Sequence, residues 1–161
     1  MGRRERCDLY HSALQVLVPE GRFVIEQAPA ARQGNDRGVV ARGAVGTGAF
    51  ARFWPIRYEI RRWREGAIPD VVEAVDSPIR LSEDPRCARR LLDLAARVPT
   101  PVWGRDELGA GEMWNSNSVI SWLLTEAGID VESILLPRHG RAPGWHAGIV
   151  VARRGLQPPH T

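Results

Sequence analysis

Apolar residues at every second position predict a β-hairpin near the start of the chain. This alternation is typical of half-buried strands, and it continues on both sides of a Pro-Glu-Gly turn at 19–21. If Val16 faces Phe23 and Leu14 faces Ile25, all four side chains share one buried face. A slip of one residue would move each side chain to the other face, so the pattern specifies this register strongly.

The opposite face of the predicted hairpin carries polar side chains. His11, Gln15 and Glu26 belong to it, with His11 opposite Ala28 and diagonal to Glu26. Long side chains can bridge a diagonal separation of about 7 to 8 Å between backbones. The hairpin therefore predicts a polar pair, His11 and Glu26, on one strand surface.

Several later segments also have the pattern of strands. A short strand is predicted at 39–40 within a loop rich in Gly, Asn and Asp, and an alternating strand at 56–60. A short apolar segment at 71–75 follows a chain break at Pro69 and Asp70. An apolar run at 145–152, after a Pro-rich loop, predicts a buried strand.

Two segments have helical periodicity. Ser82 precedes two acidic residues and Pro85, which is typical of a helix N-terminus, and an apolar stripe follows as far as Val98. Asn115 or Ser116 can cap a second helix that ends at Gly128, with Val119, Ile120, Leu123, Leu124 and Ala127 predicted on its buried face. Helices that are separate from a largely antiparallel sheet predict a single α+β domain over 1–152, with a flexible tail at 153–161.

The composition fits one domain and excludes several functions. All 22 basic residues among the 161 are Arg, so Schiff-base chemistry and the P-loop motif, which need Lys, are excluded. The net charge is only +3 and the Arg residues are spread along the chain. This distribution argues against a specific nucleic-acid partner, whose binding would weaken steeply with salt.

Neither a cofactor nor a metal is expected. Cys7 and Cys87 form no C-x-x-C pair and have no His at zinc-site spacing. No uncharged apolar run approaches the roughly 20 residues that a membrane span needs. The N-terminus has no apolar signal segment, so a cytoplasmic location is expected.

Ser116, His11 and Glu26 form a candidate catalytic group. The start of a core helix suits a nucleophile, because its unpaired N–H groups and dipole favour negative charge. Asn115 and Asn117, beside Ser116, carry amide donors that could hold an oxyanion. His11 would act as the base, and Glu26 would fix the imidazole tautomer.

These residues resemble the circularly permuted branch of the NlpC-type papain-like hydrolases, which includes lecithin:retinol acyltransferase-like proteins and the PPPDE peptidases. The similar segments are 10–14, Tyr-His-Ser-Ala-Leu, with the strand at 24–26, and 115–119, Asn-Ser-Asn-Ser-Val. With the hairpin and the helix that carry these segments, the resemblance covers about a quarter of the chain. The resemblance implies an early His on a strand, a polar partner, and a late nucleophile at a helix start. It also implies hydrolysis or transfer of an amide, ester or thioester in a small-molecule, lipid or peptide substrate.

The sequence departs from that family at the nucleophile, because Ser116 stands where the family has Cys. A helix terminus can bring a thiol from a pKa of about 8.5 to near neutrality, but a hydroxyl gains little from it. Ser116 could attack only if His11 takes its proton during the reaction. Three interpretations remain: a true serine variant, an inactive protein that still binds a peptide or acyl ligand, and an introduced replacement of Cys.

Other residues extend or compete with this site. Trp103 and Trp114 flank the helix start and could line an apolar slot, and Arg105 with Asp106 could bind a substrate carboxylate or close over the site. His139 and His146 are rival bases, and His146 lies on a predicted strand. The structural alternatives are Ser116 as a helix cap, His11 as a strand histidine bonded to backbone, and Glu26 as a solvated residue.

Overall fold

This computed structural model describes residues 8–9, 11–30, 37–45, 57–68, 78–135 and 140–156. Over these residues the protein is α+β, with a four-stranded antiparallel sheet and three α-helices. The strands are β1 (Asp8–Leu9), β2 (Leu14–Val18), β3 (Gly21–Pro29), β4 (Val39–Ala44), β5 (Arg57–Arg64) and β6 (Gly140–Arg141). The helices are α1 (Pro85–Leu94), α2 (Ser116–Glu126) and α3 (Trp145–Leu156), with short 3-10 turns at Ala95–Arg97 and Val131–Ser133.

The predicted hairpin is confirmed in its register. Leu14 pairs with Ile25 and Val16 with Phe23, and the turn leaves Gly21 at a φ of 136°, in the region that favours glycine. The main sheet runs in the order β2-β3-β5-β4. Strands β1 and β6 pair in parallel as a separate ribbon.

One face of the main sheet packs against α1 and α2. Its side chains join the helices in a single apolar core, which includes Leu14, Val16, Ile25, Tyr58 and Ile60 from the sheet and Leu91, Leu92, Val119, Ile120 and Leu123 from the helices. Burial raises the pKa of Tyr58 well above its ordinary value, and its Oη donates to the carbonyl of Pro101 at 2.7 Å. The helix-bearing face therefore determines which strand side chains can reach the start of α2.

Both predicted helices are present, with a shifted start for the first. Asp84, not Ser82, is the N-cap of α1, because its carboxylate accepts from the Arg86 N–H at 2.9 Å. The same bond holds the pKa of Asp84 below its usual range. Strands β4 and β5 run longer than the segments predicted at 39–40 and 56–60. The segment predicted at 71–75 lies outside the described residues.

The strand predicted at 145–152 is wrong, because these residues form the first part of α3. An apolar run of eight residues fits either a buried strand or a buried helix. Helix α3 packs closely against α2 through Gly148, where an added Cβ would lie 2.1 Å from the Ser118 carbonyl oxygen. The helix also continues through Leu156, so the predicted tail does not begin at 153.

Across the described ranges, every helix is too short or too polar to cross a membrane. No group of three or more His, Cys, Asp or Glu among the same residues is placed to hold a metal ion.

Candidate functional site

The start of α2 is fixed by a reciprocal cap. Asn115 has an extended backbone, and its Oδ1 accepts from the N–H groups of Asn117 at 2.9 Å and Ser118 at 3.3 Å. In return the Asn115 N–H donates to Ser118 Oγ at 3.1 Å. This is a capping box, and it makes Asn115 the N-cap and Ser116 the first helical residue. Ser116 is therefore not needed as the cap.

His11 lies against Ser116. His11 Nδ1 and Ser116 Oγ are 2.7 Å apart, although 105 positions separate the two residues along the chain. Ser116 is 7% exposed, whereas His11 is open to solvent on its other side. His11 is not on a strand as predicted, because β2 begins only at Leu14. The residue next to it, Ser12, makes a second link to α2 by donating from Oγ to Asn117 Oδ1 at 2.7 Å.

The amides predicted to hold an oxyanion already have acceptors. Asn115 Nδ2 donates to the Pro143 carbonyl at 2.7 Å, and Asn117 Nδ2 donates to the same oxygen at 3.0 Å. These bonds attach the start of α2 to the segment before α3. The first turn still offers the Ser116 N–H, which has no acceptor within the described part of the chain. This open N–H donor and the helix dipole favour negative charge beside Ser116 Oγ.

Glu26 lies on the side of the sheet away from α2. It pairs with Arg61 in register on β3 and β5, and it alternates with Ile25, whose side chain faces the helices. Glu26 is buried. The predicted His11–Glu26 diagonal depended on His11 continuing the strand register, and the ladder stops three residues short of it. The structure thus unites His11 with Ser116 but places Glu26 on the opposite face.

Gln27 is a polar residue for which the sequence pattern predicted no role. It is 1% exposed and shares the helix-bearing face with Ile25, and neither Nε2 nor Oε1 has a hydrogen-bond partner among the described residues. The hairpin register, extended by two positions beyond Leu14, brings it level with Ser12, which binds α2. The alternation along β3 contained this information. Phe23, Ile25 and Gln27 lie on one face of the strand, and Gln27 is the polar residue among apolar neighbours.

The loop before α2 is closed by its own backbone. Asp106 accepts from the N–H groups of Ala110 at 2.6 Å and Gly111 at 2.8 Å. Both of its carboxylate oxygens therefore form hydrogen bonds within the loop. Arg105 is exposed, and its carbonyl accepts from the Trp114 N–H at 2.9 Å. These contacts hold the loop in one conformation beside Ser116.

The two tryptophans predicted to line a slot have different environments. Trp114 is 2% exposed and belongs to the apolar core, so it packs beneath the start of α2 and does not line a surface slot. Trp103 is half-buried and packs edge-on against Tyr58, with ring centroids 6.0 Å apart. Only Trp103 retains an accessible surface that a substrate could contact.

Of the two rival bases, only His146 lies among the described residues, and no hydrogen bond joins it to Ser116 there. His146 is exposed on α3, one turn beyond the Pro143 carbonyl that the Asn amides bind. His139 lies outside the described residues. A cavity of about 590 Å³ lies between the start of α1 and the segment after α2, and Cys87 is part of its wall. None of the site residues lines it.

The chain matches no protein-family model, no curated protein and no solved structure. The chemistry of the site is therefore inferred from its geometry alone. A hydroxyl, an imidazole nitrogen and a helix N-terminus converge at one point, and this combination suits attack on a carbonyl carbon.

Proposed function

We propose that this protein is a hydrolase or acyltransferase in which Ser116 is the nucleophile and His11 the base. The observation that carries the proposal is the 2.7 Å contact between His11 Nδ1 and Ser116 Oγ at the N-terminus of α2. A nucleophile and a base at this separation are within proton-transfer reach. The early His, the late helix-borne nucleophile and the antiparallel sheet against that helix support a circularly permuted papain-like architecture.

The reaction begins when His11 Nδ1 accepts the Ser116 proton as Oγ bonds to the substrate carbonyl carbon. His11 must then carry its own proton on Nε2 beforehand, so that Nδ1 is free to accept. The carbonyl oxygen becomes an oxyanion, which the Ser116 N–H and the α2 dipole stabilise. His11 passes the proton to the leaving amine, alcohol or thiol as its bond to carbon breaks. Water or another acceptor then releases the acyl group from Ser116.

The experiment that tests this proposal is covalent labelling with a fluorophosphonate, followed by intact-mass analysis. The parent protein is expected to gain one phosphonyl group with loss of fluoride, and Ser116→Ala is expected to gain none. Ser133→Ala is the matched control, because Ser133 is an exposed serine whose Oγ donates to the Asp130 carbonyl in its own turn. Labelling that persists in Ser116→Ala would contradict the proposal.

A second result separates catalysis from the alternative, a catalytically inactive papain-like module that binds a peptide or acyl ligand. A Ser116→Cys variant places a thiol beside His11 and the helix N-terminus, which favour the reactive thiolate. An inert parent with a rapidly alkylated Ser116→Cys variant would support the inactive binding module. Alkylation no faster than that of Cys87 would argue against both.

Gln27 is the proposed third member of the site. An unpartnered amide buried in a protein costs about 1 to 3 kcal/mol relative to a hydrogen-bonded one, so its retention on the helix-bearing face needs a reason. Orientation of a substrate carbonyl supplies that reason. Glu26 cannot be assigned this role from its strand position on the opposite face.

Gln27→Leu is expected to increase stability and reduce reactivity together. Removal of an unsatisfied amide should raise the free energy of unfolding by about 1 kcal/mol or more. Fluorophosphonate labelling should slow by about tenfold, because the reacting group beside Ser116 loses an amide that orients it. Urea unfolding and the labelling time course measure the two effects. Unchanged labelling in a stabilised variant would show that Gln27 has no part in the site.

A further inference from the structure

We propose that the cleft lined by Arg42, Arg57 and Thr100, here named the arginine cleft, binds the phosphate group of a small molecule. The cleft has a volume of about 280 Å³, and the backbone of Gly43 and Ala44 completes its wall. It shares no residue with the Ser116 site, so the inference does not depend on the proposed hydrolase activity.

The charges around the cleft leave one cation without an acidic partner. Glu59 is buried, and it already accepts from Arg42 Nε through Oε1 at 3.2 Å and from Arg61 Nη2 through Oε2 at 2.8 Å. On β3, Glu26 pairs in register with Arg61 of β5, on the same face of the sheet but across β5 from β4. No described carboxylate pairs with Arg57, which is exposed at the start of β5. An external anion would balance this charge.

Strand register places the two cationic residues of the cleft close together. Ala44 pairs with Arg57, and Arg42 pairs with Glu59, so Arg42 and Arg57 occupy diagonal positions on one face of β4 and β5. Diagonal neighbours lie about 7 to 8 Å apart at the backbone. Long side chains at diagonal positions can reach a single anion between them, and guanidinium groups carry several N–H donors for it.

The cleft walls are held in place before any ligand arrives. Thr100 lies between two prolines, and the next carbonyl, that of Pro101, accepts from Tyr58 Oη at 2.7 Å. The Trp103 N–H donates to the Ala44 carbonyl at 2.9 Å, which fastens the same loop to the edge of β4. A preformed site loses less conformational freedom on binding, so the Thr100 hydroxyl can serve as a third donor at little cost.

A phosphate monoester fits this donor set better than a carboxylate does. It carries close to two negative charges near neutral pH and three terminal oxygens in a tetrahedral array. These oxygens can accept from two guanidinium groups and one hydroxyl at the same time. A carboxylate has two oxygens in one plane and is matched by a single Arg fork.

The test is a nuclear magnetic resonance titration of the whole chain with phenyl phosphate, with inorganic phosphate and benzoate as separate arms. Phenyl phosphate is expected to give saturable shifts at the amides of Gly43, Ala44 and Thr100, and to bind at least about tenfold more tightly than benzoate. Inorganic phosphate that binds as tightly as phenyl phosphate would identify the free ion as the ligand, still at this cleft. Shifts with no saturation, or benzoate affinity equal to that of phenyl phosphate, would overturn the proposal.

Variants distinguish binding at the arginine cleft from general attraction between an anion and a positively charged protein. Arg57→Gln is expected to weaken phenyl phosphate binding at least about tenfold, and Thr100→Val severalfold. Arg90→Gln removes an exposed Arg on α1 and is expected to leave binding unchanged. Equal weakening by Arg57→Gln and Arg90→Gln would show that only net charge matters and would overturn the proposal.

Discussion

The His11→Ala protein is expected to react with a fluorophosphonate at least about a hundredfold more slowly than the parent. Positioned general bases contribute about 10²- to 10⁴-fold to reactions of this kind. A serine hydroxyl gains little from a helix N-terminus alone, so Ser116 depends on the nitrogen 2.7 Å away to take its proton. The measurement is the rate at which the phosphonylated mass appears.

His146→Ala is the matched control for His11→Ala. His146 is an exposed imidazole on the neighbouring helix α3, and its removal should leave the labelling rate unchanged. Loss of labelling in His146→Ala with retention in His11→Ala would reverse the assignment of the base. Circular dichroism of both variants shows whether the fold is retained.

The sequence predicted secondary structure and register wherever a local pattern is compatible with only one arrangement. Alternation on both sides of a two-residue turn allowed only one register, and Leu14 does pair with Ile25. The helix at 116–126 was predictable in the same way, because a polar cap precedes an apolar stripe and Gly128 follows it at a φ of 84°. The placement of His11 near Ser116 was expected from the chemistry of the two residue types and from the resemblance, since no local pattern relates residues 105 positions apart.

The failures arose where tertiary partners decide the outcome. The run at 145–152 has no period that separates strand from helix, and its close packing on α2 at Gly148 is invisible in the sequence. The bonds from the Asn115 and Asn117 amides to the Pro143 carbonyl join residues 28 and 26 positions apart, which no local pattern shows. Gln27 was missed, although strand parity places it, and not Glu26, on the helix-bearing face.

The Gly148→Ala protein is expected to be less stable than the parent by about 3 kcal/mol. The new Cβ would lie 2.1 Å from both the Ser118 carbonyl oxygen and Ser121 Oγ, and 2.8 Å from the Trp122 nitrogen. Backbone atoms of α2 cannot rotate away, so the two helices must separate. Alanine favours a helix over glycine by about 1 kcal/mol, and overpacking of this kind exceeds that gain. Thermal unfolding should show a decrease of roughly 6 to 12 °C.

Gly155→Ala in the same helix provides the opposite case. Its Cβ would come no closer than 3.6 Å to Glu126 Oε1, an ordinary contact, so only the helix preference of alanine remains. The free energy of unfolding of this variant should rise by up to about 1 kcal/mol, and equal destabilisation of both variants would contradict the close α2–α3 packing.

Because Ser118 also forms the cap of α2 by accepting from the Asn115 N–H, a shift of α2 caused by Gly148→Ala also displaces Ser116. Gly148→Ala should therefore label more slowly even at temperatures where it stays folded, whereas Gly155→Ala should label at the parent rate.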